Sequence, residues 1–130
     1  MDAKGIVIHH SASGDVSANE IDRWHRQKGW DQVGYHFVIR KNGSIEPGRS
    51  FEVAGAHKRG KNSTHLGVCL TGDFTKHKPS KQQLSALMHL VEGLINRFDI
   101  QEVIGHHDNC PGPNFSLDLD FFNQYIEGGC

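Results

Sequence analysis

The sequence predicts a single α/β domain built around a mixed β-sheet. Short runs rich in β-branched residues, which are typical of buried strands, alternate with longer segments whose apolar residues recur at helical spacing. The chain has 130 residues, the length of one domain, and no repeat, linker or low-complexity tract divides it. We therefore expect one domain over residues 1–130, with about five strands flanked by three helices.

The first strand and the first helix have clear boundaries in the sequence. Gly5–His10 is a short apolar run that ends in polar residues, and it predicts a buried strand. Ser17 followed by Glu20 is the pattern of a capping box, which marks the start of a helix. That helix covers about residues 18–28 and ends at Gly29, a residue common just past helix ends.

The middle of the chain predicts a hairpin, a long loop and a central strand. Tyr35–Arg40 has strand character, and Asn42–Gly43 predicts a tight turn into a short partner strand, Ser44–Glu46. Residues 47–65 show little periodicity and predict a long loop, a feature that is often functional in a compact domain. The continuous apolar run of Leu66–Thr71 predicts a strand inside the sheet.

The last third predicts two more helices and a short strand. Ser80 and Gln83 form a second capping box, and the residues after it place an apolar stripe on one helical face. Gln101–Gly105 predicts a strand, and a loop rich in proline and glycine follows it. Ser116 caps the last predicted helix. The stripe of the second helix consists of Leu84, Leu87, Met88, Val91, Leu94, Ile95 and Phe98.

The composition excludes several classes of protein. The formal net charge is −1, so a basic surface for nucleic acid is disfavoured. No apolar run approaches the ~20 residues that span a bilayer, and the N-terminus lacks the apolar segment of a signal peptide. The three cysteines have unrelated spacings, which do not indicate a disulfide framework. Cys69 is expected to be buried, and Cys130 is expected to be a free thiol at the tail.

Histidine is over-represented, with 10 residues, and two adjacent pairs stand at the ends of predicted strands. His9–His10 and His106–His107 each follow a predicted strand, and strand ends of this kind tend to meet at one edge of an α/β sheet. Cys110 follows on the proline-rich loop. Two imidazoles and one thiolate with a fourth position for water would suit catalytic zinc. A solvated sheet edge with an inert cysteine is the alternative, and spacing alone leaves both open.

The remaining histidines and tryptophans receive simpler interpretations. His36 alternates with Tyr35 and should point to the opposite face of the strand, where it packs or forms hydrogen bonds. Trp24 is expected in the core because of its helical spacing, whereas Trp30 could be core or a sugar platform. Four other histidines are expected at the surface: His25, His65, His77 and His89.

Four segments occur in an order that matches a known family. They are IVIHHSAS (residues 6–13), EIDRWHRQKGWDQVGYHFVIRKNGSIEPGR (20–49), AGAHKRGKNSTHLGVCLTGDF (54–74) and GHHDNCPGPNF (105–115). Together they closely resemble the zinc-dependent N-acetylmuramoyl-L-alanine amidases of type 2, which include the T-odd phage lysozymes and the peptidoglycan recognition proteins. The resemblance covers nearly the whole chain, and the block from Trp24 to Phe37 is most similar to the phage members.

The resemblance implies a hydrolase that cuts the amide between N-acetylmuramic acid and L-alanine of the stem peptide, with one Zn²⁺ per chain. It implies that His9, His106 and Cys110 are the zinc ligands, while His10 occupies a place that does not bind metal. Tyr35 matches a tyrosine that assists the reaction at the zinc. A non-catalytic recognition module is the alternative from another class, but such modules typically lack the third ligand, which is retained here.

The resemblance also implies substrate contacts and shows one departure. His57 and Asn62 match positions in the substrate groove of the family. The phage members carry a lysine two residues before the cysteine on a longer loop, whereas this sequence has Asp108. Asp108 could deliver a proton, orient His106 or cap the loop, and the sequence favours none of these roles.

A phage or prophage endolysin is the role that the resemblance favours, with a bacterial wall-recycling amidase as the alternative. The expected partner is peptidoglycan, with no nucleic acid and no membrane anchor, and the chain is expected to be a monomer. Such a protein would stay in the cytoplasm until released and then act on the cell wall from the periplasm. Some phage members also bind RNA polymerase, so polymerase is a further candidate partner, which a pull-down that recovers none would exclude.

Overall fold

A five-stranded sheet with one long helix on each face forms the described part of the chain. The computed structural model describes residues 2–106, 110–115 and 122–123. The strands are β1 (Gly5–His10), β2 (Phe37–Ile39), β3 (Ile45–Pro47), β4 (His65–Leu70) and β5 (Glu102–Gly105). The helices are α1 (Ala18–Gln27) and α2 (Lys81–Arg97).

The sheet is mixed, as the sequence predicts, and its strand order is β3-β2-β4-β1-β5. β1 lies inside the sheet between β4 and β5 and runs parallel to both, while β2 is parallel to β4 and antiparallel to β3. Because three parallel strands end together, His9 at the end of β1 lies near the residues that follow β5. In the pairing of β1 with β4, His9 stands opposite Cys69.

Alternation along the strands sends successive side chains to opposite faces of the sheet. The α2 face holds the larger core, in which strand residues pack on the helix stripe. The α1 face holds a smaller cluster that includes Val38, Cys69, Ile21 and, at its margin, Tyr35. The larger core includes Ile6, Ile8, Ile39, Leu66, Val68, Leu70, Phe74, Leu87, Val91 and Leu94. His9 therefore points to the α1 face, where its ring centroid is 5.0 Å from that of Tyr35.

The predicted helix starts are confirmed by the observed caps. Ser17 accepts a hydrogen bond from the backbone N–H of Glu20, and α1 ends just before Gly29, whose φ is +94°. At the start of α2, Ser80 and Gln83 make both hydrogen bonds of the capping box. No helix among residues 2–106, 110–115 and 122–123 is both long and apolar enough to cross a bilayer.

The sequence predictions for strands hold with small shifts. The strand predicted over Tyr35–Arg40 is shorter, Phe37–Ile39, and its partner is Ile45–Pro47. The helix predicted from Ser116 lies outside the described residues except for positions 122 and 123, and so does Cys130.

Two of the four histidines predicted at the surface are buried, so that prediction is wrong for His25 and His65. The His25 Nδ1 atom accepts a hydrogen bond of 2.8 Å from the backbone N–H of Gly34. The His65 ring bonds Glu102 at 2.7 Å. These partners satisfy the polar ring atoms, which is what allows an imidazole to be buried. His77 and His89 are exposed, as expected.

The burial of His25 predicts a dependence of stability on pH. Burial, the largest cause, and the nearby Lys28 and Arg49 lower the pKa of His25 to about 4 from its ordinary value of 6.5. Since the unfolded chain binds more protons between these values, the free energy of unfolding should fall as the pH drops through this window. We expect a loss of about 1–2 kcal/mol, allowing for partial contact of the ring with water.

A comparison of variants isolates this effect in metal-free protein by urea unfolding between pH 4 and 7. His25→Asn keeps an acceptor for the Gly34 N–H but cannot titrate, so its stability should depend less on pH than that of the wild type. His89→Asn, at an exposed position, serves as the control. Parallel pH profiles for wild type and His25→Asn would show that His25 is not responsible.

Candidate metal centre and substrate groove

His9, His106 and Cys110 meet at the edge of the sheet where β1 and β5 end. Their candidate ligand atoms all lie within 4.8 Å of one another. His9 lies on the interior strand β1 and is only 1% exposed. The His106 ring centroid lies 4.7 Å from that of His9, and the backbone N–H of His106 donates to Ile8 at 3.2 Å. The prediction that the two histidine pairs meet at one edge is confirmed for His9 and His106, and His107 lies outside the described residues.

The distance between His9 and Cys110 fits two ligands of a tetrahedral zinc ion. The Cys110 Sγ atom lies 3.7 Å from His9 Nδ1. Two ligands at the usual Zn–N and Zn–S bond lengths of ~2.0 and ~2.3 Å would be about 3.5 Å apart around a tetrahedral ion. The backbone N–H of His10 also donates to Cys110 Sγ at 3.4 Å, which would stabilise a thiolate. Without a metal, burial raises the pKa of the Cys110 thiol.

His10 is turned away from this group. Its Nδ1 atom accepts a hydrogen bond of 3.0 Å from the backbone N–H of Phe74, and its ring packs against the Phe74 ring at a centroid distance of 5.7 Å. The alternation along β1 explains why adjacent histidines part in this way. The placement agrees with the expectation that His10 is not a ligand.

Tyr35 lies beside the group, on the same face of the sheet as His9. Its side chain lines the cavity in front of His106 and Cys110. Burial, followed by the nearby thiols of Cys69 and Cys110, raises the pKa of Tyr35 above its ordinary value. The phenol therefore keeps its proton at neutral pH and can donate a hydrogen bond.

A cavity of about 500 Å³ opens in front of the candidate ligands. One wall carries Lys28 and Trp30, with the Lys28 ammonium 5.5 Å from the centroid of the Trp30 ring. Trp30 is 39% exposed and leaves a free aromatic surface, although its ring also contacts that of His25. The other lining residues are His9, His10, Ala12, His25, Tyr35, Ala56, His57, Asp73, Thr75, His106 and Cys110.

The three remaining predicted site residues have different placements. His57 lines the cavity but is only 8% exposed, and its Nδ1 atom is 3.0 Å from His9 Nε2. Asn62 uses its side-chain oxygen to accept the backbone N–H groups of His57 and Lys58. Asp108 lies outside the described residues.

Lys58 is a neighbour of the site to which the sequence assigned no role. Its ammonium donates a hydrogen bond of 2.7 Å to the His106 carbonyl.

The rings behind the site are packed so tightly that Gly67 has no space for a side chain. A Cβ atom added there would lie 2.7 Å from His57 Cγ, and the ring cannot retreat because its Nε2 is bonded to the His65 carbonyl. We expect Gly67→Ala to cost about 1–3 kcal/mol of stability and to weaken metal binding. Gly93→Ala is the control: it meets no atom within 4 Å on α2 and should be neutral or stabilising.

Thermal unfolding and a zinc titration would check both variants. A Gly67→Ala protein with unchanged stability and zinc affinity would show that the ring of His57 moves freely.

A His–His–Cys group that could hold a metal lies beside a protonated phenol at the base of a groove, an arrangement typical of a hydrolase site on an α/β sheet. The family profile of Amidase_2, the N-acetylmuramoyl-L-alanine amidases, matches residues 1–113. The chain therefore belongs to this family. It is an N-acetylmuramoyl-L-alanine amidase, which hydrolyses the amide bond between N-acetylmuramic acid and L-alanine in peptidoglycan.

Individual relatives agree with this assignment. The endolysin of Enterobacteria phage K11 is 41% identical over 122 residues, covering 88% of this chain and 81% of that protein. The endolysin of Klebsiella phage KP32 is 38% identical with the same coverage. The solved structure of the N-acetylmuramoyl-L-alanine amidase LysC from Clostridium intestinale has a TM-score of 0.86 and 32% identity, covering 98% of this chain and 85% of that chain. The family, fold class and enzyme activity predicted from the sequence are confirmed.

Proposed function

We propose that the protein is an endolysin whose amidase activity depends on one Zn²⁺ held by His9, His106 and Cys110. The observation that carries the metal assignment is the convergence of these three side chains, with Cys110 Sγ 3.7 Å from His9 Nδ1. Two imidazoles and one thiolate are a donor set that zinc prefers and that leaves a fourth position for the reaction. The identity to the endolysins of phages K11 and KP32 supports the biological role.

The zinc ion and the residues around it would have separate roles in the reaction. When bound, zinc would supply Lewis-acid polarisation of the scissile carbonyl and lower the pKa of a water molecule. Tyr35 would donate its phenol proton in a hydrogen bond to the oxygen of that carbonyl as negative charge develops there. The exposed ring of Trp30 and the charge of Lys28 would hold the glycopeptide along the groove.

The departing amine of L-alanine needs a proton. We propose that the Asp108 carboxylate accepts the proton that the attacking water releases and passes it to this amine, because Asp108 stands two residues before Cys110 in the sequence. We also propose that the chain acts as a monomer, which sedimentation would test. His57 lines the groove beside Ala56, and Asn62 supports it by accepting the backbone N–H groups of His57 and Lys58.

Expression in a Gram-negative host tests the endolysin role. The protein should accumulate in the cytoplasm without lysis, and permeabilising the inner membrane should then cause a rapid fall in culture turbidity. A Cys110→Ser variant should cause none. A wall-recycling amidase would instead cleave soluble muropeptides while leaving permeabilised cells intact, and that result would contradict the proposal.

A further inference from the structure

Two adjacent residues of one loop each contact a different candidate zinc ligand. Residues 56–62, which we call the support loop, lie between β3 and β4. His57 places its Nδ1 atom 3.0 Å from His9 Nε2. Lys58 places its ammonium 2.7 Å from the backbone oxygen of His106. The loop thus contacts both candidate histidine ligands.

The hydrogen bonds of His57 determine which nitrogen of His9 is available to a metal. The His57 Nε2 atom lies 2.9 Å from the backbone oxygen of His65, so it must carry a proton and donate. In a neutral ring, Nδ1 is then an acceptor, and the His9 Nε2–H donates to it. The lone pair of His9 is consequently on Nδ1, which is the nitrogen that faces Cys110 Sγ at 3.7 Å.

The support loop is itself held firmly. The side-chain oxygen of Asn62 accepts the backbone N–H groups of His57 at 2.8 Å and Lys58 at 2.9 Å. The backbone oxygen of Asn62 accepts the N–H of Gly55 at 2.9 Å. Gly67 of β4 lies under the His57 ring with no room for a Cβ atom. These contacts fix the position of His57 and Lys58 relative to the sheet.

We propose that the support loop is a positioning element for the metal centre. His57 sets the tautomer and orientation of His9, and Lys58 anchors the backbone of His106. The inference rests on the proposed zinc-dependent function, and it gives His57, Lys58 and Asn62 a role toward the metal rather than direct contact with substrate. Contacts of this kind behind metal ligands typically change metal affinity 10–100-fold when removed.

Two substitutions at His57 separate positioning from simple structural support. His57→Asn places a side-chain oxygen where Nδ1 stood, so it keeps the acceptor for His9 and loses the bond to the His65 carbonyl. His57→Gln can reach that carbonyl but no longer offers the acceptor. Zinc affinity, measured by competition with a chromophoric chelator, should fall about 10–100-fold in His57→Gln and stay within about threefold of wild type in His57→Asn.

Lys58 has a matched control on the same loop. Lys58→Met removes the ammonium and keeps the apolar stem, and it should weaken zinc binding and alter the absorption spectrum of the cobalt-substituted protein. Lys61→Met removes the same charge from a residue that pairs with Glu102 and contacts no candidate ligand, so it should change neither measurement. The Lys58 comparison also stands alone if a His57 variant fails to fold.

The outcomes distinguish this inference from the function on which it rests. Wild-type protein that binds no zinc would overturn the proposed function and the inference together. Wild-type protein that binds one zinc, with His57→Gln and His57→Asn equally affected or equally unaffected, would overturn the positioning role of His57 alone. Equal effects of Lys58→Met and Lys61→Met would overturn the role of Lys58.

Discussion

Cys110→Ser is expected to abolish zinc binding and amide hydrolysis while leaving the fold intact. A serine hydroxyl does not ionise near neutral pH and is a poor zinc ligand, whereas a thiolate is a strong one. The side chain lies at the edge of the sheet beside His9 and His10 rather than in either apolar cluster. We therefore expect the free energy of unfolding to change by no more than about 1 kcal/mol. Metal analysis after dialysis against zinc, with a peptidoglycan turbidity assay, measures both effects.

Cys69→Ala provides the control for the loss of a thiol. Cys69 is fully buried opposite His9 in the pairing of β1 with β4, yet it does not belong to the candidate metal group. This variant should retain one zinc per chain. Full zinc occupancy in Cys110→Ser would show that Cys110 is not a ligand.

Tyr35→Phe is expected to keep zinc and lose most of the catalytic rate. The substitution removes only the hydroxyl, so the ring contact with His9 remains. Removing a single hydrogen-bond donor to a developing oxyanion costs about 10²–10³-fold in kcat. The raised pKa of Tyr35 means that the wild-type hydroxyl keeps its proton, and the rate should not decline between neutral pH and pH 9 through loss of that proton.

Steady-state kinetics on a soluble muropeptide, combined with zinc analysis, would check the role of Tyr35. We expect kcat to fall with little change in KM, because the hydroxyl acts mainly in the transition state. An unchanged kcat would make Tyr35 a packing residue of the α1 face. A loss of zinc in Tyr35→Phe would instead assign it to the architecture of the metal centre.

The meeting of His9 with His106 could be predicted from the sequence because it depends on strand topology. Each histidine directly follows an apolar run, and parallel neighbours bring the ends of such runs to one edge. Cys110 was predictable because it stands only four residues after His106 on a short loop. The resemblance to the amidase family then gave these residues their order and their roles.

The environment of the other histidines could not be predicted, because it depends on contacts between distant parts of the chain. His25 is buried by Trp30 and by the backbone of Gly34, both of which lie beyond the end of its own helix. His57 meets His9 across 48 positions in the sequence, through a loop that has no periodic pattern. Helical spacing and strand alternation describe neighbours along an element, and they do not describe such contacts.

Digestion of purified peptidoglycan, with and without a chelator, tests the central claim most directly. Mass spectrometry of the released fragments should detect stem peptides with a free L-alanine amino group, which disappear with chelator and return when zinc is added. Intact peptidoglycan with the protein bound to it, or cleavage that is unaffected by the chelator, would contradict a zinc-dependent amidase centred on His9, His106 and Cys110.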